Sequence, residues 1–577
     1  MRTPDEATGA SLLIDALREA GVTHLFANFG SDHPAIIEAL AGDRERGIAS
    51  PRVILCPHEY SALSAAHAYA AATGEAQAVF VHTDVGTANL GGAVHNAARS
   101  RAPVFVFAGL TPYTMEGELP GGRNSHINHL QDAPDQHGIV RPYVKWSYDI
   151  RTAANIPQIV HRAMQIARSA PAGPVYVTAA REVLAQSVPR PAVESWRWGA
   201  VAPTAAPDAV VDELIAELSG AKSPLVITSY LGRAPAAVGR LVELTERLGV
   251  PVVEANPEVL SYPHDHPLHL GDDPHALVRD ADVILAIDTD VPWIAATAVP
   301  STDARVYVVN EDPLQERIPL WYVPADRFIR ADSATLLDQL LARAPRRGEP
   351  AALRRAEAAG ARSAAMRERW REEEAADAEA GRLTAVTAAA ALARVIRDDD
   401  VVVAEAISAA SAVWRRLPRR LPGTLFGNRG TSLGWSGGGA LGIRLATGAR
   451  LVVSVVGDGT FFFSAPSSTY WIAEQYRIPV LTVVLDNGGW NATKRNVLKQ
   501  DDSGPAARND AYWSSLRQSA DFGGIAAAAG GATGWTVTRA DELDRALREA
   551  VAVVVGGASA VVTVRLDPIS GQAPDPA

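Results

Sequence analysis

The feature that most limits what this chain can become is a recurring pattern of short Val- and Ile-rich runs. THLFANFG, RVILCP, QAVFVHT, PVFVFAG and GPVYVTA fall in the first third. PLVITSY, PVVEAN, DVILAIDT and RVYVVN follow in the middle, and DVVVAEA, RLVVSVVGDG, PVLTVVLDN and AVVTVRL near the end. These runs lack the apolar/polar alternation of a half-exposed strand, so both faces must be covered. Helical stretches separate them, and strand–helix alternation builds parallel α/β sheets. The expected fold is α/β, with three doubly wound parallel-sheet domains.

Length agrees, since 577 residues suit about three domains at roughly 100–200 residues each. A Pro-containing stretch at 189–207 and a charged, Ala-rich stretch at 346–382 break the chain. The expected division is 1–190, 200–345, a solvated helical linker at 346–382, and 383–577. The last residues, GQAPDPA, read as a loose tail.

Composition removes several classes of function. The net charge is -11 and no basic stripe with interleaved aromatics occurs, which argues against nucleic acid as a partner. Cys56 is the single cysteine, so an internal disulfide and a cysteine metal site are both excluded. Within VILC it reads as a small buried hydrophobe. The N-terminus lacks the basic start and apolar run of a signal peptide, and no run reaches the ~20 apolar residues of a membrane span. The expectation is a cytoplasmic protein with no membrane partner, in which the sequon at Asn491 goes unused.

The sharpest local signal is LVVSVVGDGT, residues 451–460, where a strand stops in Gly457-Asp458-Gly459-Thr460. A helical segment leads to PVLTVVL and then Asp486-Asn487-Gly488-Gly489, with 26 residues between Gly459 and Asp486. One crossover helix fits that interval, so the two strands are expected to be parallel neighbours. Both loops then lie at strand carboxyl ends, where open α/β sheets bind ligands. Asp458 offers a carboxylate, Asn487 an amide oxygen, and the glycine-rich backbone after it can bend to present a carbonyl. Hard oxygens of this kind suit octahedral Mg2+ carrying phosphate oxygens and water. Free N–H groups at Gly459 and Thr460 open a helix and favour a phosphate.

This arrangement resembles the thiamine diphosphate motif of the pyruvate decarboxylase and acetolactate synthase superfamily. The resemblance implies that Asp458, Asn487 and the Gly489 carbonyl hold Mg2+ against the cofactor diphosphate. It departs at Asp486, where the family usually has Asn. In VILCPHEYSALSAAHAYAAATG, Glu59 opens an alanine-rich helix ending ATG, like the family helix whose glutamate protonates the aminopyrimidine ring. A carboxyl group partly out of water can carry and donate that proton. The same Glu59 also suits the helix dipole as a purely structural residue.

Flanking segments extend the resemblance over nearly the whole chain. LFANFGSDHPAIIEAL and VHTDVGTANLGGAVHNAARSRAPVFVFAG place Ser31 and His82 like the paired Ser and His of benzoylformate decarboxylase. Acetolactate synthases typically lack both. In family terms His82 is a proton donor or acceptor and Ser31 a carboxylate-binding hydroxyl; each is also compatible with a plain turn. Leu433 in GNRGTSLGW stands where the family puts a bulky residue beneath the cofactor, and Ser408 in VVVAEAISAAS where a hydroxyl meets the diphosphate.

Other signals are set aside. GGGALG at 437–442 matches a dinucleotide fingerprint but follows no strand. FAD is not expected, because the arginine and glycine patterns of flavin-binding relatives are not evident. His264, His266 and His269 read as loop residues, not a metal site. His126, His129 and His137 lie in a stretch that either covers a site or forms surface. Trp490, Asn491 and Lys494 read as a mobile, substrate-selecting loop.

The resemblance implies a thiamine diphosphate-dependent lyase or transferase, decarboxylating a 2-oxo acid with or without transfer of the acyl group. It also implies at least a homodimer, often a homotetramer. The alternatives are a lyase of a 2-hydroxyacyl-CoA, which calls for a nucleotide site in the central domain, and a catalytically silent cofactor-binding subunit.

Overall fold

A computed structural model of the protein describes residues 6–569; the tail GQAPDPA lies outside them. Three parallel sheets account for the three sets of runs. The first has six strands in the order Arg52–Leu55, His24–Ala27, Gln77–Val81, Val104–Leu110, Val175–Ala180, Trp146–Ile150. The third repeats that winding: Leu425–Gly427, Val401–Glu405, Val452–Gly457, Leu481–Asp486, Ala560–Arg565, Thr533–Val537. The central sheet has five strands: Val252–Glu254, Pro224–Thr228, Val283–Ile287, Arg305–Asn310, Arg327–Arg330.

Unbroken apolar runs arise because each sheet is covered twice. In Gln77–Val81, Ala78 and Phe80 enter one core while Val79 and Val81 enter another. In Pro224–Thr228, Val226 faces one side and Leu225 and Ile227 the other. A strand buried on both faces gains nothing from alternating polarity.

One of these cores joins the first and third sheets. It contains Val79 and Val106 from one and Val403 and Val452 from the other, with Trp435 and Leu441 between. The helices Glu59–Thr73 and Trp435–Thr447 meet here. A Cβ at Gly438 would lie 2.4 Å from the Ser61 carbonyl oxygen, and one at Gly442 would lie 2.1 Å from that of Ala65. GGGALG is thus a packing face inside a helix, where glycine lets two backbones approach.

The linker differs from a simple solvated helix. Pro350–Glu379 is helical, but Arg355 donates to the carbonyls of Ser219 and Ala221 at 3.2 and 2.8 Å. Ala352, Ala359 and Ser363 are buried along the same face, which clamps the helix to the central sheet. Among the described residues, no helix is long and apolar enough to cross a membrane.

Candidate active site

In the first and third sheets the chain starts on an inner strand, moves to one edge, then returns and crosses over. The reversal leaves a crevice between His24–Ala27 and Gln77–Val81, and another between Val401–Glu405 and Val452–Gly457. Such switch points are where open α/β sheets hold ligands. Ser31 and His82 follow the strands of the first crevice, and Ser408 and Asp458 those of the second.

The strands before Asp458 and Asn487 are parallel neighbours, with Gly457 opposite Leu485, as the spacing predicts. Asp458 opens the helix Asp458–Phe463 and is buried, and its Oδ1 accepts the Gly459 N–H at 2.8 Å. Its Oδ2 is buried with no hydrogen-bond partner. Burial pushes the Asp458 carboxyl up to about 7, and the nearby Asp486 carboxylate adds to this. Asn487 Oδ1 accepts the Gly489 N–H at 3.2 Å. Gly489 has φ +147°, and a Cβ there would meet the Ser514 carbonyl oxygen at 2.0 Å. At Gly459 a Cβ would strike the Trp490 ring at 1.8 Å, so the indole lies over the start of this helix, beside the buried Thr460.

Asp486 is 1% exposed and paired with Arg565. Its Oδ1 accepts the Gly488 N–H at 3.0 Å. The extra negative charge of an aspartate at this position is therefore compensated inside the protein.

Ser408 sits in the turn Ile407–Ala409, and its carbonyl accepts from Arg495 at 3.1 Å. The Leu433 carbonyl accepts the Tyr60 hydroxyl at 2.8 Å, tying its loop to the helix of Glu59. Glu405, which sequence reasoning missed, organises the same loop by accepting from Asn428 and from the Ser436 N–H, each at 2.8 Å. Burial pushes its carboxyl up.

Glu59 is buried at the start of its helix, where His58 caps the Tyr60 N–H. Asn28 donates to one Glu59 oxygen at 2.9 Å and Asn89 to the other at 2.5 Å. His82 Nδ1 lies 2.5 Å from Asp32 Oδ1 and Nε2 lies 2.7 Å from Gln131 Nε2. Ser31, beside Asp32, is exposed. Asn28, Asp32, Asn89 and Gln131 all escaped the sequence reading; only the polar turn ANFGSDH hinted at the first two.

The remaining histidines divide. Gln131, not a histidine, carries the 111–137 stretch to His82; His129 meets Arg123, and His137 meets Thr178. In the central domain His264 and His269 are buried, each with Nε2 3.1 Å from Glu254 Oε2, so they are more than loop residues. The His269 hydrogen bond and the adjacent His264 ring overcome burial and hold the Glu254 carboxyl down at about 2. His266 reaches Glu246 at 3.3 Å. The segment after Trp490 is a helix, Asn491–Gln500, and not a loop; Lys494 pairs with Asp510 at 3.2 Å. Cys56 is fully buried, and burial pushes its thiol up out of the reactive range.

Residues 7–139 match the N-terminal TPP binding domain of thiamine pyrophosphate enzymes, 211–340 the central domain, and 407–564 the C-terminal TPP binding domain. The chain belongs to this family of thiamine diphosphate-dependent enzymes. It is 28% identical over 494 residues to benzoylformate decarboxylase of Pseudomonas aeruginosa, covering 83% of this chain and 86% of that protein. It is 26% identical to acetolactate synthase isozyme 3 large subunit of Escherichia coli, covering 97% and 95%. Its fold matches the thiamine diphosphate-dependent 4-hydroxybenzoylformate decarboxylase of Rhodococcus jostii RHA1, with a TM-score of 0.77 and 24% identity over 97% of this chain and 99% of that one.

The donors fit the family's cofactor with a divalent cation. An orphaned carboxylate oxygen on Asp458 and an amide oxygen on Asn487, just past the ends of neighbouring strands, are hard-oxygen donors of the kind such a cation takes.

Proposed function

We propose that this protein decarboxylates a 2-oxo acid in the manner of benzoylformate decarboxylase, with transfer of the acyl group to a second carbonyl as the related outcome. The observation that carries this reading is a histidine anchored by a buried aspartate at the first sheet's switch point, beside Ser31. Asp458, Asn487 and the Gly489 carbonyl would hold Mg2+, and the Thr460 N–H the diphosphate; the Gly459 N–H, expected to be free, is taken by Asp458. Ser408 and Leu433 would border the cofactor from the adjoining loops. When bound, the cofactor supplies a carbon nucleophile and an electron sink for cleaving a bond next to a carbonyl.

The chain's own residues supply the rest. Glu59, fixed by Asn28 and Asn89, holds a proton where an aminopyrimidine nitrogen would meet it. The Ser31 hydroxyl binds the substrate carboxylate, and His82 Nε2 gives or takes a proton at the carbonyl oxygen. A homodimer completes the site by bringing a first domain against the partner's third.

A 2-hydroxyacyl-CoA lyase would need a nucleotide at the central sheet's switch point. Arg101 from the first domain, Arg233, and Arg429 from the third converge there on the Tyr230 ring at 5.4, 4.3 and 4.0 Å. Arg429 also pairs with Asp290, so that cation is already engaged by a carboxylate of the protein. A silent subunit would have no use for Glu59 or the Asp458–Asn487 pair. The test supplies thiamine diphosphate and Mg2+ and measures CO₂ release from aromatic and aliphatic 2-oxo acids, with and without an aldehyde acceptor. Release from an aromatic 2-oxo acid is expected; tight cofactor binding without release from any 2-oxo acid would overturn the reading.

A further inference from the structure

We propose that Asp32 is the positioning residue for His82: its carboxylate holds the Nδ1 proton, fixes one tautomer and leaves Nε2 as the working nitrogen. The inference rests on the reading above that His82 meets the substrate.

Asp32 is 3% exposed and accepts from His82 and Thr83, with His33 beside them; the His33 Nδ1 itself accepts the Gly30 N–H at 3.1 Å. His82 Nδ1 and His33 Nδ1 approach its Oδ1 at 2.5 and 2.8 Å, and the Thr83 N–H reaches Oδ2 at 3.1 Å. Burial would push this carboxyl up, but the His82 hydrogen bond and the neighbouring His33 ring hold it well below the usual carboxylate range. The backbone makes room for the pair. A Cβ at Gly30 would meet His82 Nδ1 at 2.2 Å, and one at Gly109 would meet Asp32 Oδ2 at 2.0 Å. His33 is fully buried, its ring against Phe29, Phe80 and Phe107, and so steadies Asp32 without reaching solvent.

A 2.5 Å separation is a hydrogen-bond contact. Two ligands of one divalent ion at ordinary bond lengths stand roughly 3 Å apart. A carboxylate on one ring nitrogen fixes the tautomer and raises the basicity of the other. The Asp32 hydrogen bond accordingly raises His82 above its ordinary pKa, against burial; Asp84 on the following helix and Gln131 add to it. Gln131 is buried, and its backbone carbonyl accepts the Thr111 hydroxyl at 2.9 Å. Its amide can present nitrogen to neutral Nε2 or oxygen to protonated Nε2, so it serves both states of the ring.

The experiment is long-range ¹H–¹⁵N NMR of histidine-labelled protein with thiamine diphosphate and Mg2+, with His82 assigned by His82→Gln. Wild type is expected to carry its proton on Nδ1 when neutral and to titrate above 6.5. In Asp32→Asn the midpoint should fall by about 1–3 pH units. The kcat limb governed by His82 should move down with it, while KM stays within about twofold. A midpoint unchanged in Asp32→Asn overturns the proposal. If that variant does not fold, Gly109→Ala, whose methyl meets the Asp32 carboxylate, should give the same downward shift. A shifted midpoint in a protein that turns over no 2-oxo acid upholds the positioning role and removes the proposed function.

Discussion

The Arg565 guanidinium donates to the Asp486 carboxylate across the third sheet, the two residues standing opposite each other on adjacent parallel strands. The pair neutralises a charge one residue from Asn487. Arg565 also reaches the Ala520 carbonyl at 3.0 Å. Removing the cation alone strands a buried carboxylate beside Asp458. Arg565→Met should therefore destabilise the protein by roughly 3–5 kcal/mol in urea denaturation. Adding Asp486→Asn to that variant should recover most of the loss. A double variant no better than the single one would show that the pairing is not what Arg565 contributes.

Glu59→Gln retains the shape of the side chain between Asn28 and Asn89 but cannot give up a proton as a carboxyl does. Turnover is expected to fall by about 10²–10⁴-fold. Thermal unfolding should move little. Activity near wild type would remove Glu59 from the proton path.

Asp458→Ala removes the carboxylate proposed to hold Mg2+. Calorimetric titration with thiamine diphosphate should show Mg2+-dependent binding in the wild type and none in the variant. Equal affinity in both would refute the clamp.

His67 offers a pH test away from the site. It is 1% exposed, packed 5.3 Å from the Trp435 ring, and burial holds its imidazole down at about 3. An unfolded histidine binds its proton below about 6.5, whereas the folded one does not until about 3. Unfolding thus takes up a proton in that window. The contribution is complete above 6.5 and is lost as pH falls toward 3, at up to about 1.4 kcal/mol per pH unit. His67→Leu should flatten the stability–pH slope by about one proton between pH 6.5 and 4.

What could be read from the sequence was what lies contiguous in it. GDGT and Asp486–Gly489 each sit in one short loop, and the interval between them fixes their strands as neighbours. Glu59 stood out because a helix start marks its first turn. Asp32 and His82 lie 50 residues apart, Gln131 and His82 lie 49 apart, and Asp486 and Arg565 lie 79 apart. Those meetings depend on strand order, which local pattern does not specify. The same limit hid Glu254, whose two histidines come from a loop 10 and 15 residues on. The helix Asn491–Gln500 was missed for another reason: none of its residues is buried, so no apolar period betrays it.

The contact of Gly438 and Gly442 with the Ser61 and Ala65 carbonyls bears on how such enzymes can be recombined. The first and third domains are separate in sequence but share one seam that has no room for a Cβ at Gly438 or Gly442. A chimera that takes its first domain from one relative and its third from another inherits two half-seams shaped for different partners. Transplants in this scaffold are expected to work only when both helices travel together, which makes the pair, and not the single domain, the unit of exchange.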